Sequence, residues 1–308
     1  MQARRFAGFV AAACVGVAGC AESAGPTPPF AAPRHELFFE SDAAGIPEIF
    51  RVDTAPGSTP ERLLPAGTVG RDPTPSPDGS RVAFVVANYV DGTGDIFVVN
   101  RDGTGLHQLT DDPELDDSPA WSPDGQRIAF RSYRAGYDGE IWVMNADGSG
   151  LVNLTPTTGS AIIDHRRPSW SPDGKFIVHA STLGGNWDIW VMRADGSDQR
   201  RLTNTADLDA EPAWSTDGSL IAFRRSDASG SDIMIVPAAG GDAVRIALPG
   251  DQRSPSWPPT GSMLAFSSQP TAASRPEIMI MTPGGQAIRA ITSAAWGGAS
   301  EPAWARVR

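Results

Sequence analysis

The chain has 308 residues, 40% of them hydrophobic, with 36 acidic against 25 basic side chains and a formal net charge of −11. That balance argues against polyanion binding, since phosphate backbones and anionic lipid surfaces are repelled. After residue 20 nothing approaches the roughly 18 consecutive apolar residues of a membrane-spanning helix, so one soluble, core-forming domain is expected downstream of the N-terminus.

The first element in chain order is a leader. "MQARRFAGFVAAACVGVAGC" has a basic start, an apolar run and small residues before a Cys, the layout of a bacterial secretory signal. "VAGC" is similar to a lipobox. Residues 1–19 are therefore expected to be a lipoprotein signal peptide and Cys20 the acylated first residue of the mature chain. Cys14 would leave with the leader, so no disulfide is expected. Residues 20–34, the lipidated Cys and "AESAGPTPPFAAPR", read as a Pro-rich extended tether. The expected location is the periplasmic side of the cell envelope, with the lipid anchor as the membrane contact.

From His35 onward the sequence repeats. "SPAWSPDGQRIAFRS" at Ser118 is echoed by "DPTPSPDGSRVAFVV" at Asp72, "RPSWSPDGKFIVHA" at Arg167, "EPAWSTDGSLIAFRR" at Glu211 and "SPSWPPTGSMLAFSS" at Ser254, with "EPAWARVR" closing the chain. In step with it run "EIFRVD" at Glu48, "DIFVVN" at Asp95, "EIWVMN" at Glu140, "DIWVMR" at Asp188, "DIMIVP" at Asp232 and "EIMIMT" at Glu277. These make six units. Each reads as four short strands joined by Gly/Asp/Ser turns, the last strand being a segment such as residues 106–110 or 199–203. A period of forty-odd residues with four strands is that of a β-propeller blade.

The chain ends complete the count. "EPAWARVR" supplies only a first strand, and "HELFFES" at His35 matches a second strand. The predicted fold is all-β: a six-bladed propeller of four-stranded antiparallel blades over residues 35–308, closed by N- and C-terminal strands sharing one blade. Within it the repeated Trp reads as inter-blade packing and the Asp of "SPDG" as a turn former. "DGTGD" at Asp91 reads as a hairpin rather than a calcium loop, for it lacks the length and terminal Glu.

The motif P-x-W-S-P-D-G followed by "IAF", "EIWVMNADGSG" and "LT" resembles the propeller repeat of the TolB family. That resemblance implies a binding platform that receives partners, and sometimes a metal ion, at the channel. The expected partner is a protein, either an envelope lipoprotein or an integral membrane complex; the acidic balance argues against nucleic acid, and no enzyme activity is expected. No cofactor is expected, a channel-bound Ca2+ being the one exception the resemblance allows. Related repeats accompany α/β-hydrolase domains, but no G-x-S-x-G elbow occurs here, and the four His (His35, His107, His165, His179) are scattered. The alternative is a carbohydrate-binding or carbohydrate-active propeller using the same channel mouth.

Positions that vary between copies carry the candidate site. The residues just before each Pro-x-Trp should run beside the channel, which places Arg71, Asp72, Asp117, Arg166, Arg167, Glu211, Arg253 and Glu301 around its mouth, with Asp164 and His165 projecting over it. Mixed signs around one opening suit a polar peptide or an ionic ligand. Mutual neutralisation between blades is the competing reading. These charges are expected outside the Trp-centred packing, and the acidic chain favours a basic partner.

Overall fold

A computed structural model describes residues 35–88, 90–157 and 162–306. The expected leader, Cys20 and the tether lie outside the described residues. Six four-stranded antiparallel sheets follow one another in a ring. Blade 1 is the shared one, with Ala299–Arg306 innermost, then His35–Ser41, Glu48–Asp53 and Glu61–Arg62. The inner strands of blades 2 to 6 are Arg71–Pro75, Asp116–Trp121, His165–Trp170, Leu208–Trp214 and Asp251–Ser256. The seam is antiparallel, with Leu37 opposite Trp304 and Ser41 opposite Ala299. Joining the ends in one sheet pairs His35–Ser41 on both sides.

Antiparallel order sorts the loops onto two faces. The start of an inner strand lies beside the end of the second strand and the start of the third, as His165 opposes Ser181 and Ser181 opposes Asp188. This end is the upper face; the Ser-Pro-Asp-Gly turns lie on the lower one. There the Asp does what its position predicts: Asp78 and Asp173 each accept the Oγ of the Ser two residues earlier (Ser76, Ser171) at 2.7 Å, and Asp217 that of Ser215 at 2.6 Å. Each also takes the next N–H but one, and Asp217, held first by Ser215 and then by the Ser219 N–H, falls to about 2.

The core is layered between neighbouring blades. Ile128, Phe130 and Met144 of blade 3 pack on Ala83, Ile96 and Val98 of blade 2, and equivalent sets recur around the ring. The Trp of each repeat closes this layer. Trp121, Trp170, Trp257 and Trp304 donate their indole N–H to Thr74, Ala120, Ala213 and Ser256 of the preceding blade at 3.1, 3.1, 3.2 and 2.9 Å. Trp214 departs from the pattern, its buried indole nitrogen having no acceptor.

The outer strands are shorter than the sequence suggests. They span only His107–Gln108 and Arg200–Arg201 where five residues were expected. The cause is the "LT" pair. Leu109 and Thr110 both donate to the Ile96 carbonyl, at 2.8 and 3.4 Å, and Leu202 and Thr203 do the same to Ile189. Two residues against one end the ladder as a bulge. The Thr hydroxyl then takes the free N–H of Ile96 (3.0 Å), Ile141 (2.8 Å) and Ile189 (3.0 Å). The repeated acid before each of these Ile residues clamps the same corner, as Glu140 does with Asn153 and the Thr157 N–H.

The Trp bonds give a paired expectation. Trp304→Phe strands the Ser256 carbonyl at the seam and should lower stability by about 1 kcal/mol more than Trp214→Phe, which removes no bond. Urea denaturation of the two variants measures the difference, and equal losses would contradict it.

Candidate functional site

Each inner strand contains the same irregularity. The ladder slips between Arg71 and Thr74, Asp117 and Ala120, Arg166 and Ser169, Ala210 and Ala213, and Arg253 and Ser256, and again where blade 1 passes from Ser300 to Ala303. At every slip the residue before the proline is left-handed: Asp72 at φ 48°, Ser118 at 54°, Arg167 at 55°, Glu211 at 56°, Ser254 at 51° and Glu301 at 52°. For residues bearing a Cβ this costs about 1 kcal/mol or more each. The prolines that follow are all buried. A bulge leaves one backbone N–H without a ladder partner, and proline has none to leave.

The consequence is a constriction on the axis. The six left-handed residues and their prolines, with Thr74, Ala120, Ser169 and Ser256 below, line a cavity of about 190 Å³. Above it, toward the upper face, lies a second cavity of about 360 Å³ bounded by Glu40, Asp251, Arg253, Gln269 and Ser300, and sharing Arg167, Glu211 and Glu301 with the first.

Charge at the constriction is closely paired. Arg167 donates to both oxygens of Glu301, at 2.7 and 3.0 Å, and lies 3.0 Å from Asp72. Glu211 accepts Arg224 at 2.9 Å through one oxygen and the Ser254 N–H at 2.8 Å through the other. Glu40 accepts the Ser300 hydroxyl at 2.9 Å and faces Arg71 at 3.9 Å. Burial, opposed by Arg167 and reinforced by Asp72, Glu211 and Glu40, pushes Glu301 up to about 8. Glu40 is raised by burial and then by Asp72, whereas Glu211 is held low because Arg224 and Arg167 outweigh its burial.

The predicted residues separate into groups. Asp72, Arg167, Glu211 and Glu301 meet on the axis, as expected. They are held there by one another and by Arg224. The competing reading, neutralisation between blades, describes Arg167 well. Arg71 pairs with Glu40, and Asp117 turns into blade 3, where Arg131 donates to it at 2.8 Å and through a second contact. Arg253 is exposed on the wall of the upper mouth, 4.0 Å from Asp251. Arg166 lies over the Trp187 ring, 3.8 Å from its centroid. Asp164 is turned to the backbone of Gly139.

His165 does not project over the mouth. It is buried with its ring 5.2 Å from His179, and burial pushes it down to about 4. His179 occupies in blade 4 the place that Phe84, Phe130, Phe223 and Phe266 hold in their second strands. It is fully buried with neither ring nitrogen bonded, and burial, then His165, drives it well below the usual histidine range.

Ser118 and Ser254 occupy the same motif position as Asp72, beside the channel. Sequence reasoning missed Glu40, Arg131 and Arg224, which follow the "IAF"-type triplet of the second strand ("LFFE", "IAFR"), a position that also varies between copies. A Ca2+ ion does not fit the constriction, because the Arg167 guanidinium already bridges Asp72 and Glu301. Among the described residues no group of three or more His, Cys, Asp or Glu side chains is placed to hold a metal.

A family model described as the TolB β-propeller domain matches residues 66–164 and 157–306. The Tol-Pal system protein TolB of Desulfosudis oleivorans is 29% identical over 136 residues, 43% of this chain and 28% of that protein. Dipeptidyl-peptidase 5 of Porphyromonas gingivalis is 37% identical over 83 residues, 25% of this chain and 12% of the peptidase. The chain thus spans less than a third of the length of either relative. The crystal structure of TolB from Acinetobacter baumannii aligns with a TM-score of 0.74 at 23% identity, over 88% of this chain and 66% of that one. Identity at that level speaks for the fold.

Two expectations follow from the ionisable groups. Glu301 binds its proton more tightly folded than unfolded, so its contribution is present at acid pH and lost as pH rises from the ordinary Glu range through about 8. Thermal melting should therefore weaken from pH 6 to 9 in the wild type and much less in Glu301→Gln; an unchanged slope would count against a proton on this cluster. His179 has the opposite sign. Its folded form resists protonation, so stability falls as pH drops below the ordinary histidine value. His179→Phe should restore the repeat, raise stability by about 1–3 kcal/mol and flatten that acid limb; a destabilised variant would contradict this.

Proposed function

The chain belongs to the TolB β-propeller domain family, and on that premise we propose that it is a non-enzymatic protein-binding scaffold of the bacterial cell envelope. Its partner docks at the upper mouth of the channel. The observation that carries this reading is the sixfold bulge. Every inner strand gives up ladder pairing and accepts a strained backbone to turn one side chain toward the axis, and strain of this kind persists where a surface is kept for recognition.

The leader and "VAGC" support delivery to the envelope and anchoring through acylated Cys20, with residues 20–34 as the spacer. Within that setting the scaffold either acts in a TolB-like way or braces an integral membrane complex as an extrinsic subunit. A binding role also suits the chemistry of the constriction, where Arg167 is committed to Asp72 and Glu301, and Arg224 to Glu211, in place of a base poised against a nucleophile. The peptidase likeness covers 25% of this chain.

The test uses a charge that the fold does not need. Arg253 is exposed at the mouth and its side chain is 55% accessible, so Arg253→Glu should leave the melting temperature unchanged. Recovery of the companion protein from detergent-solubilised native membranes should drop by about tenfold. Equal recovery would remove the docking site from the mouth. Cys20→Ser should separately leave the leader uncleaved or release the protein from lipid attachment, and mass spectrometry finding an unmodified mature terminus in the wild type would refute the anchor.

A further inference from the structure

The whole-chain charge of −11 points to a basic partner. The upper rim at blades 3 and 4 has a different character. Arg166 stands there near three guanidinium groups from blades 3, 4 and 5 that are directly committed: Arg131 to Asp117 and, at the constriction, Arg167 to Asp72 and Glu301 and Arg224 to Glu211. Arg166 has no such partner. Its contact is the face of Trp187, and its buried Nε has no acceptor. Burial and then Arg224 lower its affinity for its own proton, Glu211 opposes them, and Arg131 and Arg167 add to the lowering, the direction expected where neighbouring cations outnumber the anions. Asp164, two residues earlier, makes no ion pair with it: its carboxylate feels Arg131 first and Arg166 second, and is held beside the Gly139 backbone.

Apolar exposure converges on the same sector. Tyr137 is 98% exposed, Val90 97%, Ile162 78% and Leu183 42%. Val90, Tyr137 and Leu183 stand in the loops that follow the second strands Arg81–Asn88, Arg127–Ser132 and Phe176–Ser181 of blades 2, 3 and 4. Ile162 stands just ahead of the inner strand His165–Trp170. All four are therefore on the upper face. The other large exposed apolar residues, Leu106, Leu151, Val152, Val244 and Ile288, sit in or beside the outermost strands. An Arg backed by an aromatic ring and flanked by exposed Tyr, Ile and Leu has the composition of an interface anchor.

We propose that this sector of the upper rim is the docking surface for an acidic and apolar protein segment. A Glu or Asp carboxylate of the partner is received by the Arg166 guanidinium against Trp187, and a neighbouring apolar side chain by Tyr137, Ile162 and Leu183. A planar guanidinium held by an aromatic ring is pre-organised for a two-point bond to carboxylate. An anionic membrane surface is disfavoured, since Glu40 and Asp251 stand at the mouth on the same face and the chain is acidic as a whole. The inference rests on the reading that the upper face is the docking face, and it assigns the partner's chemistry there.

The test measures binding of the full chain to three sets of peptides of matched apolar content, with Glu, Gln or Lys at the variable position, and to phosphatidylglycerol vesicles. The Glu set should bind about tenfold more tightly than the Gln set. Arg166→Gln should abolish that difference. Tyr137→Ala, at a side chain too exposed to matter for folding, should weaken the Glu and Gln sets alike, and Leu106→Ala at the outer edge should change neither. Preference for Lys, indifference to charge, no binding by any set, or vesicle binding that depends on Tyr137 would each overturn the proposal. Companion loss in Arg253→Glu alongside any of these would leave the mouth as docking site and remove only the acidic assignment.

Discussion

A proline beside a left-handed residue is the constraint from which the channel is built. The slip in each inner strand would leave an N–H facing the axis with no partner, and the proline at that place removes the donor. With the backbone satisfied, the residue before it is free in chemical type but fixed in direction. This explains why Asp72, Ser118, Arg167, Glu211, Ser254 and Glu301 differ so widely while their φ angles lie between 48° and 56°. The scaffold fixes six directions and leaves six identities open. Selection for a partner can act on the identities without disturbing the sheets.

Electrostatics then separates inner from outer. At the constriction, carboxylates outnumber the guanidinium groups bonded to them, and burial raises the Glu301 carboxyl above its usual range. Buried ion pairs of this kind are poor sources of net stability, because desolvation offsets much of the attraction, but removing one partner is expensive. Arg167, Glu211 and Glu301 are accordingly structural as well as axial. Charges at the rim, Arg253 and Arg166, are bound less tightly and are available to a visitor.

The fold was legible because its signals are local and recur. Asp-Gly turns, the Trp of each repeat and the "LT" corner each report a bond made within a few residues or with the next copy. The shared blade could be read from two half-motifs. The short outer strands could not, because the bulge at Thr110 and Thr203 depends on one carbonyl accepting twice, which no residue type announces. The site was half legible. Alignment of the copies placed Asp72, Arg167, Glu211 and Glu301 on the axis, yet the partners of these residues come from other strands and other blades. His165 was misplaced because the third residue before the proline is buried around the ring, as Asp116, Asp209, Gln252 and Ala299 are; in blade 4 it meets His179, which stands in a Phe position. Net charge describes the whole chain and says nothing of local arrangement, such as Arg166 stacked on Trp187 at the upper rim of an acidic protein.

The central claim is that the upper face of the propeller receives a protein. Photo-crosslinking in the native host addresses it most directly, with a benzophenone amino acid placed singly at Tyr137 or Arg253 on the upper face and at Gln126 or Lys175 in the lower turns, all four exposed or nearly so. The account predicts one shared adduct from both upper positions and none from the lower pair. An adduct of the same mass from Gln126 or Lys175, with none from Tyr137 and Arg253, would contradict it.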